Sequence, residues 1–355
     1  MDFDLNEEQR LLEQSIDAFF AAGRPHSHAR DRYDGQTGSL GDLDALCLNE
    51  MLIPEEHGGG GAGALDVAVA AERLGAAAAP GPFIGRVLAG YAITLAGSEA
   101  QRAEWLPKLA SGERRATVAI GEPGTRWGLD ELEMGGGRLV GEKRNVLVGD
   151  GIDLAVVVLA DGLALVEFGT AGLRATDTDV IDRTRPMATL AFDGPDHERL
   201  PGGATAAGRV LDLGAVLVAA DAYGGAARCL DLAVRYSQER EQFGTTIAHF
   251  QAIQHQLADV AIDVLPSRGL YWYAAHALDR RQDDASGFAS LAKAHITERY
   301  IAAARRAIEV HGGIGYTWEC DLHLFLRRAV FDRAYLGSPE MHRQRRARGQ
   351  FADVG

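Results

Sequence analysis

The stretch Ala307–Ala329, AIEVHGGIGYTWECDLHLFLRRA, decides how the rest of the chain reads. A helical run enters it. His311-Gly312-Gly313-Ile314-Gly315 then breaks that helix, and a second amphipathic helix leaves from about Cys320. Glycines at this density permit positive φ and let the backbone approach a ligand closely. Upstream, Glu239–His255 (EREQFGTTIAHFQAIQH) has a related texture. A charged helix end meets Gln242-Phe243-Gly244, a short loop follows, and a new helix begins around Phe250 and Gln251.

Working outward, the chain has 355 residues, 46% of them hydrophobic, with a net charge of −14. That length suits one very large domain or two to three packed ones with a sizeable core. The acidic balance argues against nucleic acid as a partner. Cys47, Cys229 and Cys320 are too few and too far apart for a disulfide framework or a metal site. They read as reduced thiols of a cytoplasmic protein. The N-terminus MDFDLNEEQR is acidic and unlike a signal peptide. No apolar run is read as reaching the roughly 18 residues of a membrane span. The glycine-rich Pro54–Gly63 (PEEHGGGGAG) lacks the Lys-Ser/Thr ending of a phosphate-binding loop and reads as an inter-helix connection.

Taken in order, Asn6 caps a helix with an apolar stripe at Leu11, Leu12, Ile16, Phe19 and Phe20, stopped by Gly23 and Pro25. His26–Gly41 reads as a loop, and a short helix is expected from about Asp42 to Met51. Helices follow at Leu65–Ala79, Phe83–Ala96 and after Ser98. From Arg115 the texture changes to short β-rich runs: Ala116–Ile120, Arg138–Val140, Asn145–Val148, Leu154–Leu159, Leu163–Phe168 and Ala188–Phe192. Long helices return at about Arg209–Glu239, Phe250–Arg281, Ser286–Val310 and Asp321–Tyr335. The class is α+β: a helical domain over 1–114, a β-barrel or sandwich over 115–205, and a four-helix bundle over 206–355.

This order resembles the acyl-CoA dehydrogenase family. Further anchors are LNEEQRLL at Leu5–Leu12, GSEAQRAEWLPKLASGE at Gly97–Glu113 and DRTRPMATLAFDG at Asp182–Gly194. The texture is that of short subunits from heteromeric, steroid-degradation-type members, which share an LG…HR ending like Leu336-Gly337…His342-Arg343. The resemblance implies FAD at a subunit interface, an acyl-CoA substrate, an electron-transfer flavoprotein as redox partner and a paralogous subunit. It places Arg240 at the cofactor diphosphate, where a bidentate guanidinium suits phosphate. Phe243 would lie against the cofactor, with Gln242 and Gln251 as polar contacts. Glu309, His311, Gly312 and Gly313 would approach a flavin bound mainly by the neighbouring subunit. Glu309 stands where the family often has Gln, and a carboxylate there is electrostatically unhelpful. The residues themselves also fit plainer roles: Arg240 pairing with Glu239 or Glu241, Phe243 and His311 as packing, Arg327 and Arg328 as a solvated helix face. In the β domain, Glu122-Pro123-Gly124 is followed by Thr125, Arg126 and Trp127 instead of the family's Ala-Gly-Ser-Asp. Trp127 fits either a flavin stack or the barrel core.

The family reaction needs a carboxylate to take the acyl α-proton. The resemblance places it in one of two positions. One is held here by Leu336, in Tyr335-Leu336-Gly337-Ser338; the other, thirty residues before Gly244, is Gly214. Neither is acidic. Asp221, inside the apolar run Leu213–Tyr223, is an alternative base or a structural aspartate; Glu340 reads as exposed. The expectation is a subunit that lacks the base and works beside a paralogue. The alternatives are a self-sufficient dehydrogenase using Asp221 and a flavin-free scaffold.

Overall fold

The computed structural model describes residues 4–22, 26–35, 46–124, 126–149 and 151–350. Gly23, Pro25, Thr125 and most of the short helix expected from Asp42 lie outside them; Leu46–Met51, at its end, are turns and irregular backbone rather than helix.

The N-terminal helices are α1 (Glu7–Ala21), α2 (Ser27–Tyr33), α3 (Ala64–Ala76), α4 (Phe83–Ala96) and α5 (Glu99–Ala110). Two of them start on reciprocal caps. Asn6 Oδ1 accepts from the Gln9 amide (2.8 Å) while Gln9 Oε1 accepts from the Asn6 amide (3.0 Å), and Ser98 with Gln101 repeats the device. Helix α2 falls in the segment expected to be a loop. Seven residues are too few to hold a helix alone. Docking supplies the difference: Arg30 bonds Asp321 (2.7 Å) and the Trp318 carbonyl (2.8 Å).

The middle of the chain forms two sheets. One has the order β1 (Ala116–Ala119), β3 (Leu154–Leu159), β4 (Gly162–Glu167), β7 (Glu198–Leu200); the other is β2 (Val140–Leu147), β6 (Met187–Asp193), β5 (Leu173–Thr178). Strands β1 and β3 are parallel and the remaining pairs of these sheets antiparallel. Val157, Ala164 and Val166 of one sheet share a core with Val146, Leu190 and Phe192 of the other, which makes the domain a sandwich. β5 and β7 were not foreseen. Both are edge strands, and β5 is mostly exposed, so neither shows an apolar alternation.

The C-terminal helices are α6 (Gly203–Glu239), α7 (Gln251–Val264), α8 (Arg268–Asp279), α9 (Ala285–His311), α10 (Leu322–Ala334) and α11 (Pro339–Gln350), with a two-strand ribbon, β8 (Glu241–Gln242) and β9 (Thr245–Thr246), after α6. The single helix expected over Phe250–Arg281 is interrupted at Leu265–Ser267 by a 3-10 turn containing Pro266. Helix α6 is the axle of the molecule. Its 37 residues run about 55 Å. By length and composition it could cross a membrane, contrary to the sequence expectation, yet 94% of its apolar window is buried inside the protein. Glycines bring its neighbours unusually close. A Cβ at Gly224 would stand 1.9 Å from the Glu72 carbonyl oxygen, and one at Gly75 would stand 2.0 Å from that of Asp221. Backbones of α3 and α6 can meet this way only without side chains.

Candidate functional site and a three-way ionic joint

Two cavities lie where the sandwich meets the bundle. The larger, about 610 Å³, is walled by Asn145, Ile181 and Met187 from the β side and by Phe331, Tyr335 and Ser338 from the helical side. The smaller, about 290 Å³, is bounded by Leu129, Leu211, Leu336, His342 and Arg345. Trp127, Glu131, Met341 and Gln344 line both. Asn145 reaches the wall because β2 bulges between Lys143 and Val146, with Asn145 at φ +56°. Beside it Lys143 and Glu122 make a buried ion pair (2.7 Å). Glu122 also accepts from the Glu133 and Met134 amides, so the Glu-Pro of the loop is a structural brace.

The loop leaving α10 is Tyr335-Leu336-Gly337-Ser338. Leu336 (φ +58°) and Gly337 (φ +107°) are both left-handed. Lys293 of α9, fully buried, fixes this turn by donating to the Arg333 carbonyl (2.9 Å) and the Gly337 carbonyl. Burial lowers the Lys293 pKa to about 7, against the pull of Asp332. His342 bonds the Leu336 carbonyl through Nε2 (3.0 Å), and burial, with the nearby Lys293 charge next, lowers its pKa to about 3. It is a neutral ring at ordinary pH and too weak a base to take an acyl proton.

The two positions at which the family resemblance puts a glutamate meet in space. A Cβ on Gly214 would lie 2.5 Å from Leu336 Cδ1 and 3.1 Å from Leu88 Cδ1. Leu336 is 2% exposed and packs over the bare helix face. An apolar contact fills the place.

Asp221 has a different occupation. It is 1% exposed and lines neither cavity. Its Oδ1 accepts from Arg185 Nη2 (2.6 Å) and Arg328 Nη1 (3.2 Å), and its Oδ2 accepts from Arg328 Nη1 (3.2 Å). Arg328 also bonds Asp182 (2.6 Å), Thr184 Oγ1 (2.5 Å) and the Ala79 carbonyl (2.8 Å). Arg185 bonds the carbonyls of Ala79 (3.1 Å) and Gly81 (2.8 Å). The α3–α4 connection, the segment before β6, and helices α6 and α10 are thus tied at one buried point. Burial, then the Asp221 charge, raises the Asp332 pKa well above the carboxylate range. The expectation that Arg328 lies on a solvated face is corrected: it is wholly buried. On α10 it shares the inward stripe of Phe325, Ala329 and Asp332, and only opposite charges from two other segments make that tolerable. The joint was missed in the sequence. In the sequence Asp182 and Arg185 belong to one anchor and Asp221 reads as a buried acid, and nothing local links them.

The eight residues expected at a cofactor gather at one end of the bundle, and none lines either cavity. The end of α6 is held to the end of α9 by a stack of Tyr236 on His311 (4.1 Å, 18°). His311 Nδ1 donates to the Ala307 carbonyl (2.8 Å), so its ring is occupied by packing. Arg240 is exposed and, among the described residues, makes no salt bridge with Glu239 or Glu241. Phe243 is 93% exposed at φ +55° on the tip of the β8–β9 ribbon. That combination is costly for a bulky residue. Gln242 Nε2 bonds the neighbouring Glu241 carbonyl (2.8 Å), and Gln251 opens α7 at the surface. Glu309 is paired with Arg306 (2.7 Å), which offsets its charge. Gly312 ends α9 at φ +64°, and a Cβ on it or on Gly313 would meet nothing within 4 Å. An unpaired guanidinium, a protruding aromatic ring and open glycine backbone fit a nucleotide-type cofactor with a diphosphate and flat rings.

Residues 6–113 match the acyl-CoA dehydrogenase N-terminal domain and residues 202–351 match the acyl-CoA dehydrogenase C-terminal domain. Among curated relatives, the acyl-CoA dehydrogenase IpdE2 of Mycolicibacterium smegmatis is 31% identical, with 94% of this chain and 96% of that protein covered. IpdE2 of Mycobacterium tuberculosis is 33% identical, with 94% of each covered. Among solved structures, the ChsE4–ChsE5 complex of Mycobacterium tuberculosis superposes with a TM-score of 0.89 at 26% identity, covering 100% of both chains. A variant of the Tcur3481–Tcur3483 steroid ACAD gives 0.89 at 28% identity, covering 98% of this chain and 99% of that one. With both terminal domains matched and the helix–sandwich–helix order in place, the chain belongs to the acyl-CoA dehydrogenase family of FAD-dependent oxidoreductases.

Proposed function

We propose that this chain is the subunit lacking the glutamate in a heteromeric acyl-CoA dehydrogenase. The whole enzyme desaturates an acyl-CoA between its α and β carbons, with a bulky, steroid-type acyl group as substrate class. The observation that carries the reading is the Leu336–Gly214 contact: both places for a base are apolar and press on each other. The Asp221 alternative is disfavoured because both its oxygens are engaged by guanidinium groups away from the cavities. Support for a paralogous partner comes from the ChsE4–ChsE5 complex and the Tcur3481–Tcur3483 pairing among structural neighbours.

In this reading the bundle end presents Arg240 to a diphosphate, Phe243 to a flat ring face, and Gly312 and Gly313 as bare backbone that a cofactor can approach closely, with Gln242, Gln251, Glu309 and His311 around them. FAD, when bound, supplies the hydride acceptor, and an electron-transfer flavoprotein drains it. The partner subunit contributes the carboxylate. The test is to purify the chain alone and with a paralogous subunit, then measure flavin per chain and acyl-CoA oxidation with an artificial electron acceptor. Turnover is expected only from the pair, and Arg240→Ala in this chain lowers the flavin content of the pair. Full turnover by the single chain sinks the proposal.

A further inference from the structure

Resting on that reading, we infer that Trp127 is a fixed partition that sets what this chain's own cleft accepts. The indole stands between the two cavities and is 5% exposed. It is the bulkiest of the four residues that wall both. Its position is pinned from two sides. A Cβ on Gly121 would lie 3.1 Å from Cη2 and Cζ3 of the indole, so the six-membered ring rests on bare glycine backbone. On the other side the Tyr335 ring meets it edge to face, with centroids 5.4 Å apart at 75°. Tyr335 is itself stacked on Phe331 (5.0 Å, 20°), which extends the wall along the larger cavity. The backbone is held too: Glu131 Oε2 accepts from the Trp127 amide (3.3 Å) and the Gly128 amide (3.2 Å). An indole wedged this way does not swing as a gate.

The volumes decide the consequence. Pockets for drug-sized ligands run from about 300 to 1,000 Å³. The larger chamber falls inside that range at about 610 Å³; the smaller, at about 290 Å³, sits at its lower edge. The smaller chamber is also the one that Leu336 faces, where the resemblance puts the reacting carbons. A short acyl group fits there, and a long or polycyclic one needs the space that Trp127 fills. The cleft of this subunit is therefore a restricted one, and a bulky acyl group is received in the partner's cleft.

The experiment compares wild type, Trp127→Ala and Trp127→Phe in the assembled complex, with calorimetric titration of butyryl-CoA and decanoyl-CoA. Thermal melts confirm that each variant is folded. Trp127→Ala is expected to bind decanoyl-CoA at least tenfold more tightly at this subunit's site while butyryl-CoA changes less than threefold; Trp127→Phe keeps a flat wall and stays near wild type. Equal decanoyl-CoA affinity in wild type and a folded Trp127→Ala overturns the partition. If neither thioester binds at this subunit, the acyl-CoA reading of this cleft is what fails. The partition is then decided by 8-anilinonaphthalene-1-sulfonate: tighter binding to Trp127→Ala upholds it, and equal binding overturns it.

Discussion

Two spots on the long helix α6 lie seven residues apart, about 10 Å along its axis, and solve burial in opposite ways. At Asp221 the interior is crowded with charge: two arginines and two further aspartates, all nearly or wholly buried. At Gly214 there is no side chain at all, and Leu336 and Leu88 close over the helix. The contrast shows what a buried carboxylate requires. Where counter-charges from other segments converge, an aspartate is kept and becomes a joint between domains. Where the loop after α10 offers leucine, the helix offers glycine, and the contact is one of packing alone. The family resemblance puts a proton-abstracting carboxylate at the second spot, and this chain has its carboxylate at the first.

The largest expected effect comes from cutting the joint. Asp221→Leu leaves Arg185 and Arg328 without their shared partner, a loss of about 3–5 kcal/mol. Chemical denaturation should show it, and a change below 1 kcal/mol would mean the guanidinium groups find other partners. Asp221→Asn, which keeps the shape, separates charge from volume.

At the apolar spot, Leu336→Ala should cost about 2–5 kcal/mol through the cavity it leaves. Gly214→Ala sharpens the comparison. Alanine favours helix by up to about 1 kcal/mol, yet the added Cβ collides with Leu336, and overpacking costs about 1–3 kcal/mol. The single variant is expected to lose stability, and the Gly214→Ala/Leu336→Ala double variant to recover part of it. Strict additivity across that double-mutant cycle would show that the two residues do not touch.

A further effect is pH-dependent. Lys293 is lowered in the fold from its ordinary value of 10.5 to about 7. Between those values the unfolded chain holds the proton and the folded one does not. Stability from this group is therefore present at high pH and lost as pH falls through about 7. Lys293→Met should flatten the stability profile over that window, as read from denaturation midpoints. An unchanged slope would assign it to other groups. Smallest of all is the exposed Arg348–Asp130 bridge (2.8 Å) beside the smaller cavity. Arg348→Ala should change stability by less than about 1 kcal/mol, and the residual effect should fade with salt.

Much of the architecture was legible because it is local. The caps at Asn6 and Ser98, the stop at Gly312, the continuous apolar run of Leu154–Leu159 and the helix–strand–helix order depend on neighbours in sequence. What escaped had no local signature. α2 is held by Arg30 reaching across to Asp321. β5 is a polar edge strand. Arg328 reads as solvated until its helix is turned so that Phe325 and Asp332 face inward. The residues expected at a cofactor rest on resemblance, and what the structure adds is only that they share one bundle end.

The sequence by itself determined that neither position 214 nor position 336 carries an acid, since that is a matter of identity. It also determined the element order, because hydrophobic period and capping chemistry are written residue by residue. Only the tertiary structure decided that Gly214 and Leu336 touch, that Asp221 is bound by two arginines, and that Trp127 divides the cleft. The physical reason is that a helical or strand period says which side chains share a face. What that face meets depends on segments a hundred residues away, and so do its charge balance, its free volume and its chemistry.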